Sequence, residues 1–120
     1  DGQLADNDIV LFRYADALLM RAEAKVRLGE SGDEDLNRVR ARVGMAPRTA
    51  TLEHLLEERL LELMWEGTRR ADLVRFDLFH KAYTLRPALS DEADRHTTVF
   101  PIPARMLQLN PNLKQNPGYR

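Results

Sequence analysis

The chain has 120 residues, 43% of them hydrophobic and 31% charged, which is enough for one modest globular core and too apolar for a disordered segment. A net charge of -1 gives no electrostatic case for nucleic acid or an anionic membrane surface. The absence of cysteine excludes disulfides, thiolate metal sites and a lipid-acceptor thiol within this stretch.

Residues 1–8 are polar and are expected to fray. From Ile9 to Leu28 good helix formers dominate, and Gly29 supplies a C-terminal stop. This first helix is apolar on two sides: Phe12, Ala15, Leu19, Ala22 and Val26 on one, Leu11, Tyr14 and Leu18 on the other. Such a helix sits between neighbours, while Arg13, Asp16, Arg21, Glu23 and Lys25 exclude a membrane span. A second helix is expected from Gly32 or Asp33 to Val43. Ser31 and Glu34 have capping-box spacing, Leu36, Val39 and Val43 form its core stripe, and Gly44 ends it. Its acids come first and Arg38, Arg40 and Arg42 later, which suits the helix dipole.

Thr51 caps a third helix, Leu52–Glu66, whose apolar face carries Leu52, Leu55, Leu56, Leu60, Leu63 and Met64 before Gly67. A fourth helix runs from Arg69 to Tyr83, and residues 84–98 form a polar loop with one helical turn at 91–94. Val99 to Pro103 is extended, because proline disfavours helix at the residue before it. A short helix over Ala104–Leu109 precedes a turn-rich tail containing Asn110-Pro111 and Asn116-Pro117-Gly118. The whole reads as a single all-α region, 1–120, built of antiparallel helical hairpins of tetratricopeptide-like form with an irregular Pro/Asn-rich tail.

The densest chemistry lies between Glu58 and Phe76. Glu58, Glu62 and Glu66 share a helix face, and paired carboxylates could in principle perform acid–base work or hold a cation. Like charges at four-residue spacing repel unless neutralised. Arg59, Arg69, Arg70 and Arg75 are the near cations, so Glu58, Arg59, Glu62, Glu66, Arg69, Arg70, Asp72 and Arg75 read as a structural ion-pair network.

His54, His80 and His96 have no metal-ligand spacing, and Ser31 and Ser90 lack a nucleophile elbow. No phosphate-cradling loop is present, and Arg38, Arg40 and Arg42 do not share one face. Catalytic residues, metal and cofactor are therefore assigned to no position, and nucleic acid to no patch. Aromatic faces could stack on sugar rings, and Tyr14, Trp65, Phe76, Phe79, Tyr83, Phe100 and Tyr119 are the candidates, but most sit at core spacing and read as packing. Tyr83 at the loop edge is the outlier. With Arg86, Arg95 and His96 it makes the loop a candidate ligand contact, against the simpler reading of a solvated loop; Asp91 could add a further polar contact.

Four segments in order resemble the SusD/RagB family. They are Leu11 to Ala24 ("RYAD-LLM-AEA"), Leu36 to Gly44 ("LN-VR-RAG"), Glu58 to Phe76 ("ER--EL--EG-R--DL-R"), and Phe100-Pro101-Ile102-Pro103 with Asn110 to Tyr119. The resemblance implies a C-terminal region of a longer surface-exposed outer-membrane lipoprotein, whose anchor is not in this chain. It implies a non-enzymatic protein that captures oligosaccharide or peptide beside a SusC-like TonB-dependent importer. This region would be scaffold, packed on the upstream part of the same protein. The alternative is a stand-alone tetratricopeptide-like module for protein–protein interaction. By itself the two-sided first helix would leave an apolar patch exposed or covered by a homodimer.

Overall fold

The computed structural model describes residues 10–83, 85–88 and 92–119. The expected helix start at Ile9, the fraying of residues 1–8, Thr84, Ser90 and Asp91 lie outside them. The chain divides into two compact units, Asp1–Arg69 and Arg70–Arg120.

The first unit holds α1 (Tyr14–Arg27), α2 (Asp33–Arg42) and α3 (Leu52–Glu62). α1 packs on both α2 and α3. Leu18, Leu19 and Ala22 of α1, Leu36 and Val39 of α2, Ala50, and Leu55 of α3 form one buried cluster, with Ala15 and Val26 against it. Leu56 and Leu63 are buried as well. Three apolar stripes at helical spacing thus close on one another, which is the fold's main driving force.

Helix ends follow local chemistry. After α1 the Gly29 N–H donates to the Val26 carbonyl at 3.1 Å and the Glu30 N–H to the Lys25 carbonyl at 2.8 Å. Gly29 takes φ +80° to allow this Schellman closure. Gly44 repeats it after α2, with Gly44 to Ala41 at 3.1 Å and Met45 to Arg40 at 3.0 Å. Thr51 caps α3, its side chain accepting the His54 N–H at 3.1 Å. Ser31 departs from the expected capping box: its hydroxyl accepts the Asp33 N–H at 3.2 Å, and Gly32 is the N-cap. Gly32 is required by proximity, since a Cβ there would lie 2.8 Å from the Ala22 carbonyl oxygen.

Several boundaries are corrected. α1 begins at Tyr14 because Arg13 is extended, with its guanidinium drawn toward α3. α3 ends at Glu62, four residues earlier than expected, in a turn where Trp65 and Gly67 both have positive φ. Val43, expected in the core stripe, is 51% exposed because α2 has already ended. Leu60 and Met64 are exposed rather than core, and Leu11, Phe12 and Tyr14 face solvent.

α4 (Arg69–Arg75), all but its first residue in the second unit, is far shorter than the expected helix to Tyr83. Asp77 at φ +63° ends it, the Leu78 N–H donating to the Leu73 carbonyl at 2.8 Å. The loop contains a two-residue bridge between Tyr83 and Arg86 and a 3-10 turn at His96–Thr98. α5 (Ala104–Leu109) has the expected bounds.

The tail is ordered. Gln115 accepts the Ile102 N–H at 2.8 Å and donates to the Ile102 carbonyl at 2.9 Å. Asn116 donates to the Phe100 carbonyl at 2.7 Å, and the Tyr119 hydroxyl to the Val99 carbonyl at 2.7 Å. Side chains of the tail thereby satisfy an extended segment that, among the described residues, has no neighbouring strand. Among the described residues no helix is long and apolar enough to cross a membrane.

Candidate functional site

Glu58 and Glu62 of α3, and Glu66 just beyond it, find partners mostly other than the arginines nearest in sequence. Glu58 accepts from Arg40 of α2 at 2.5 Å, and both side chains are buried. Glu62 accepts from Arg13 at 2.6 Å and from Arg42 at 2.8 Å. Glu66 accepts from Arg13 at 2.9 and 3.0 Å. Arg59, buried on α3, reaches Asp16 of α1 at 2.7 Å. Arg69 donates to the Leu56 carbonyl at 3.3 Å. Arg40, Arg42 and Arg13, outside the expected set of Arg59, Arg69, Arg70 and Arg75, thus meet Glu58, Glu62 and Glu66. Arginines of neighbouring elements reach these acids, and of these pairs Arg40–Glu58 is shielded from water, where pairing is strongest.

These pairs bind the three helices to each other. A second tie joins α1 to α2, where buried Asp35 accepts from Arg21 and, at 3.0 Å, from Lys25. Sequence reading missed Arg13, Asp16, Arg40, Arg42 and Asp35 as partners. The only signal for them was the regular placement of charge beside apolar stripes.

Asp35 and Glu62 are held in their ionised forms. The hydrogen bond from Arg21, aided by Lys25, holds Asp35 below its ordinary value against the effect of burial. Burial pushes Glu62 up, and the hydrogen bonds from Arg13 and Arg42 together outweigh it and hold the carboxyl down. Arg13 is correspondingly raised by Glu66 first and Glu62 second. A general acid would need the opposite shift.

The sign for stability follows. Depressed folded-state values mean a contribution that is complete above the ordinary 3.8 of Asp and 4.5 of Glu, and lost as pH falls through the lowered values. Urea midpoints are therefore expected to drop between about pH 5 and pH 3, and Asp35→Asn is expected to flatten that drop. An unchanged pH profile in Asp35→Asn would remove Asp35 from the account.

In the second unit Arg70 donates to the Thr97 and Thr98 carbonyls at 2.7 and 3.1 Å and lies over Phe100, 4.0 Å from the ring centre. Arg75 pairs with buried Asp72 at 2.8 Å.

The loop residues expected near ligand are engaged in polar contacts within the chain. Arg86 turns inward to Glu92 and to the Phe79 carbonyl at 3.1 Å. Arg95 pairs with Asp77, and His96 Nδ1 lies 2.6 Å from Asp94. Tyr83 is exposed and hydrogen-bonds through its backbone to Arg86. Arg95 and His96 help line a cleft of about 360 Å³ with Asp94 and Asn116. A larger cleft of about 510 Å³ between α1 and α2 is lined by Arg13, Tyr14, Arg38 and Arg42, with Arg38 stacked 5.2 Å from the Tyr14 ring centre.

His80 Nε2 lies 2.7 Å from the Thr97 hydroxyl, which donates its proton to Glu92 at 3.1 Å. The Nε2–H tautomer is thereby assigned. Among the described residues no group of three or more His, Asp and Glu is placed to hold a metal ion.

The sequence is 39% identical over 126 residues to the starch-binding protein SusD of Bacteroides thetaiotaomicron, covering 96% of this chain and 22% of that protein. It is 35% identical over 130 residues to the SusD-like protein P38 of Formosa agariphila, covering 95% and 25%. Among solved structures, the surface glycan-binding protein A from Bacteroides uniformis superposes with a TM-score of 0.73 at 32% identity, covering 91% of this chain and 27% of that one. B. fragilis NanU superposes with a TM-score of 0.68 at 33% identity, covering 92% and 27%. The chain therefore spans about a quarter of the length of these relatives. Its all-helical, tetratricopeptide-like architecture agrees with theirs. The SusD family model matches residues 1–119, and the chain belongs to the SusD family.

Proposed function

We propose that this chain is the scaffold region of a longer cell-surface glycan-binding protein. It holds an upstream binding surface in place and contributes to docking on a TonB-dependent importer. The longer protein is a lipoprotein of the outer membrane, anchored outside the present sequence, and it binds oligosaccharide without turning it over.

The observation that carries this reading is the use made of charge. The buried acids Asp35 and Glu58, together with Glu62, are committed to arginines and a lysine of neighbouring elements, so they tie helices together. Such groups have fold-holding roles and are not available to a ligand. The names of the relatives, starch-binding and surface glycan-binding, indicate the ligand class of the whole protein.

Calorimetric titration of the 120-residue chain and of its full-length gene product with malto-oligosaccharides and a peptide panel tests this. Binding by the longer protein alone is expected. Binding of equal strength by the isolated chain would move the site into this region. Absence of glycan binding by the longer protein would overturn the ligand class. Co-purification of the longer protein with a TonB-dependent transporter tests the importer partner.

A further inference from the structure

The turn that ends α3 carries an anomaly. Trp65 is 97% exposed, and its backbone sits at φ +68°. That left-handed conformation suits glycine and crowds the Cβ of any other residue, most of all a bulky one. Exposing the whole of the largest apolar side chain is also unfavourable in water. Two costs therefore fall on one residue, and nothing in the described structure offsets either. Beside Trp65, Leu61 and Met64 are more than half exposed. A cleft of about 270 Å³ opens next to the ring, with Leu63, Thr68 and Arg69 in its wall.

We propose that Trp65, with Leu61 and Met64, is an apolar peg onto which the remainder of a SusD-length polypeptide packs. This rests on the reading of the chain as one region of a longer protein. Three observations select that occupant. First, the larger part of each relative named above lies outside the matched region, so chain is available to cover the peg. Second, the patch is small. A tryptophan buries roughly 150–250 Å² and two aliphatic neighbours add less, short of the ~800 Å² per partner of a stable free-standing interface. A tethered occupant loses no translational freedom on packing, so a small patch suffices for it and not for a free partner or a second copy.

Third, the lining is mostly apolar. Among the described residues it holds no carboxylate or amide, and Thr68 is its one neutral polar side chain. Of its guanidiniums, Arg59 reaches Asp16 and Arg69 reaches the Leu56 carbonyl. Leucine and methionine instead match apolar side chains.

The test uses the chain's single tryptophan and a substitution whose effect changes sign. In the 120-residue chain, Trp65 emission is expected to be red, freely quenched by acrylamide, and unaffected by protein concentration or maltoheptaose. Blue, protected emission overturns the proposal by showing the peg already covered. A blue shift that grows with concentration assigns the face to a second copy, and one produced by maltoheptaose assigns it to glycan. Both results overturn the proposal.

Trp65→Gly is expected to raise the melting temperature of the 120-residue chain by about 4 °C, by relieving strain. In the full-length gene product the same change is expected to lower it by about 5–10 °C, by removing a buried anchor. Equal signs in the two proteins overturn the proposal, as does a gene product no longer than this chain. A full-length protein that binds maltoheptaose but ignores Trp65→Gly overturns the peg and leaves the functional reading intact. One that binds no glycan yet loses stability on Trp65→Gly does the reverse.

Discussion

Arg40→Ala is expected to destabilise the first unit by about 3–5 kcal/mol, a large share of the ~5–15 kcal/mol typical of a whole domain. The guanidinium donates to Glu58 at 2.5 Å and to the Ala46 carbonyl at 2.9 Å, and both charged side chains are nearly out of solvent. Removing the cation leaves a buried carboxylate with its desolvation cost uncompensated. Replacing both partners by apolar groups of similar size, Arg40→Met with Glu58→Leu, is expected to recover most of the loss, because no charge is then left buried. Urea denaturation of the two single variants and the double variant measures the coupling. A cost for Arg40→Ala below about 1 kcal/mol, the value of an exposed pair, would show that water reaches the site.

Leu19→Ala is expected to cost about 2–5 kcal/mol. Leu19 is fully buried on α1, the helix that contacts both α2 and α3, so the cavity opens where three elements meet. Collapse of one neighbour into the space would open gaps elsewhere, which places the cost in the upper part of that range. Val43→Ala is the comparison: the same stripe in sequence, half exposed in the fold, and expected to change stability by less than about 0.5 kcal/mol. Chemical denaturation of both decides it. Equal costs would mean that the three-helix core is not the one described.

Contrast between those two positions shows where sequence reading stops. Leu36, Val39 and Val43 obey one helical period, and only the first two are core. The period continues through Val43, whereas the helix ends at Arg42 because the Schellman closure at Gly44 turns the chain there. The same limit applies at the end of α3. Helix propensity runs on through Trp65, but the backbone turns left-handed there, and Trp65, read as a packing residue, stands in solvent. Tyr14 and Phe100 also face solvent.

The charged positions behave likewise. The sequence placed Glu58, Glu62 and Glu66 on one face of a helix and so required cations for them. It did not identify Arg40, Arg42 and Arg13 as those cations, since the partners come from segments 18 to 53 residues away. Tyr83, Arg86, Arg95 and His96 were grouped by nearness along the chain. In space Arg86 is engaged with Glu92, and Arg95 and His96 with the separate acids Asp77 and Asp94.

What the amino-acid sequence determined by itself was the class of fold, the stops at Gly29 and Gly44, the Thr51 cap, the bounds of α5 and the family. Each of these depends on interactions within a few residues or on a pattern of residue types in order. The tertiary structure alone decided which carboxylate meets which guanidinium, which apolar residues are buried, and that Trp65 is left uncovered at a strained turn. Those outcomes depend on desolvation where distant segments meet. Burial of an ion pair or a leucine is a property of the surfaces that close over it, and no local window of sequence contains them.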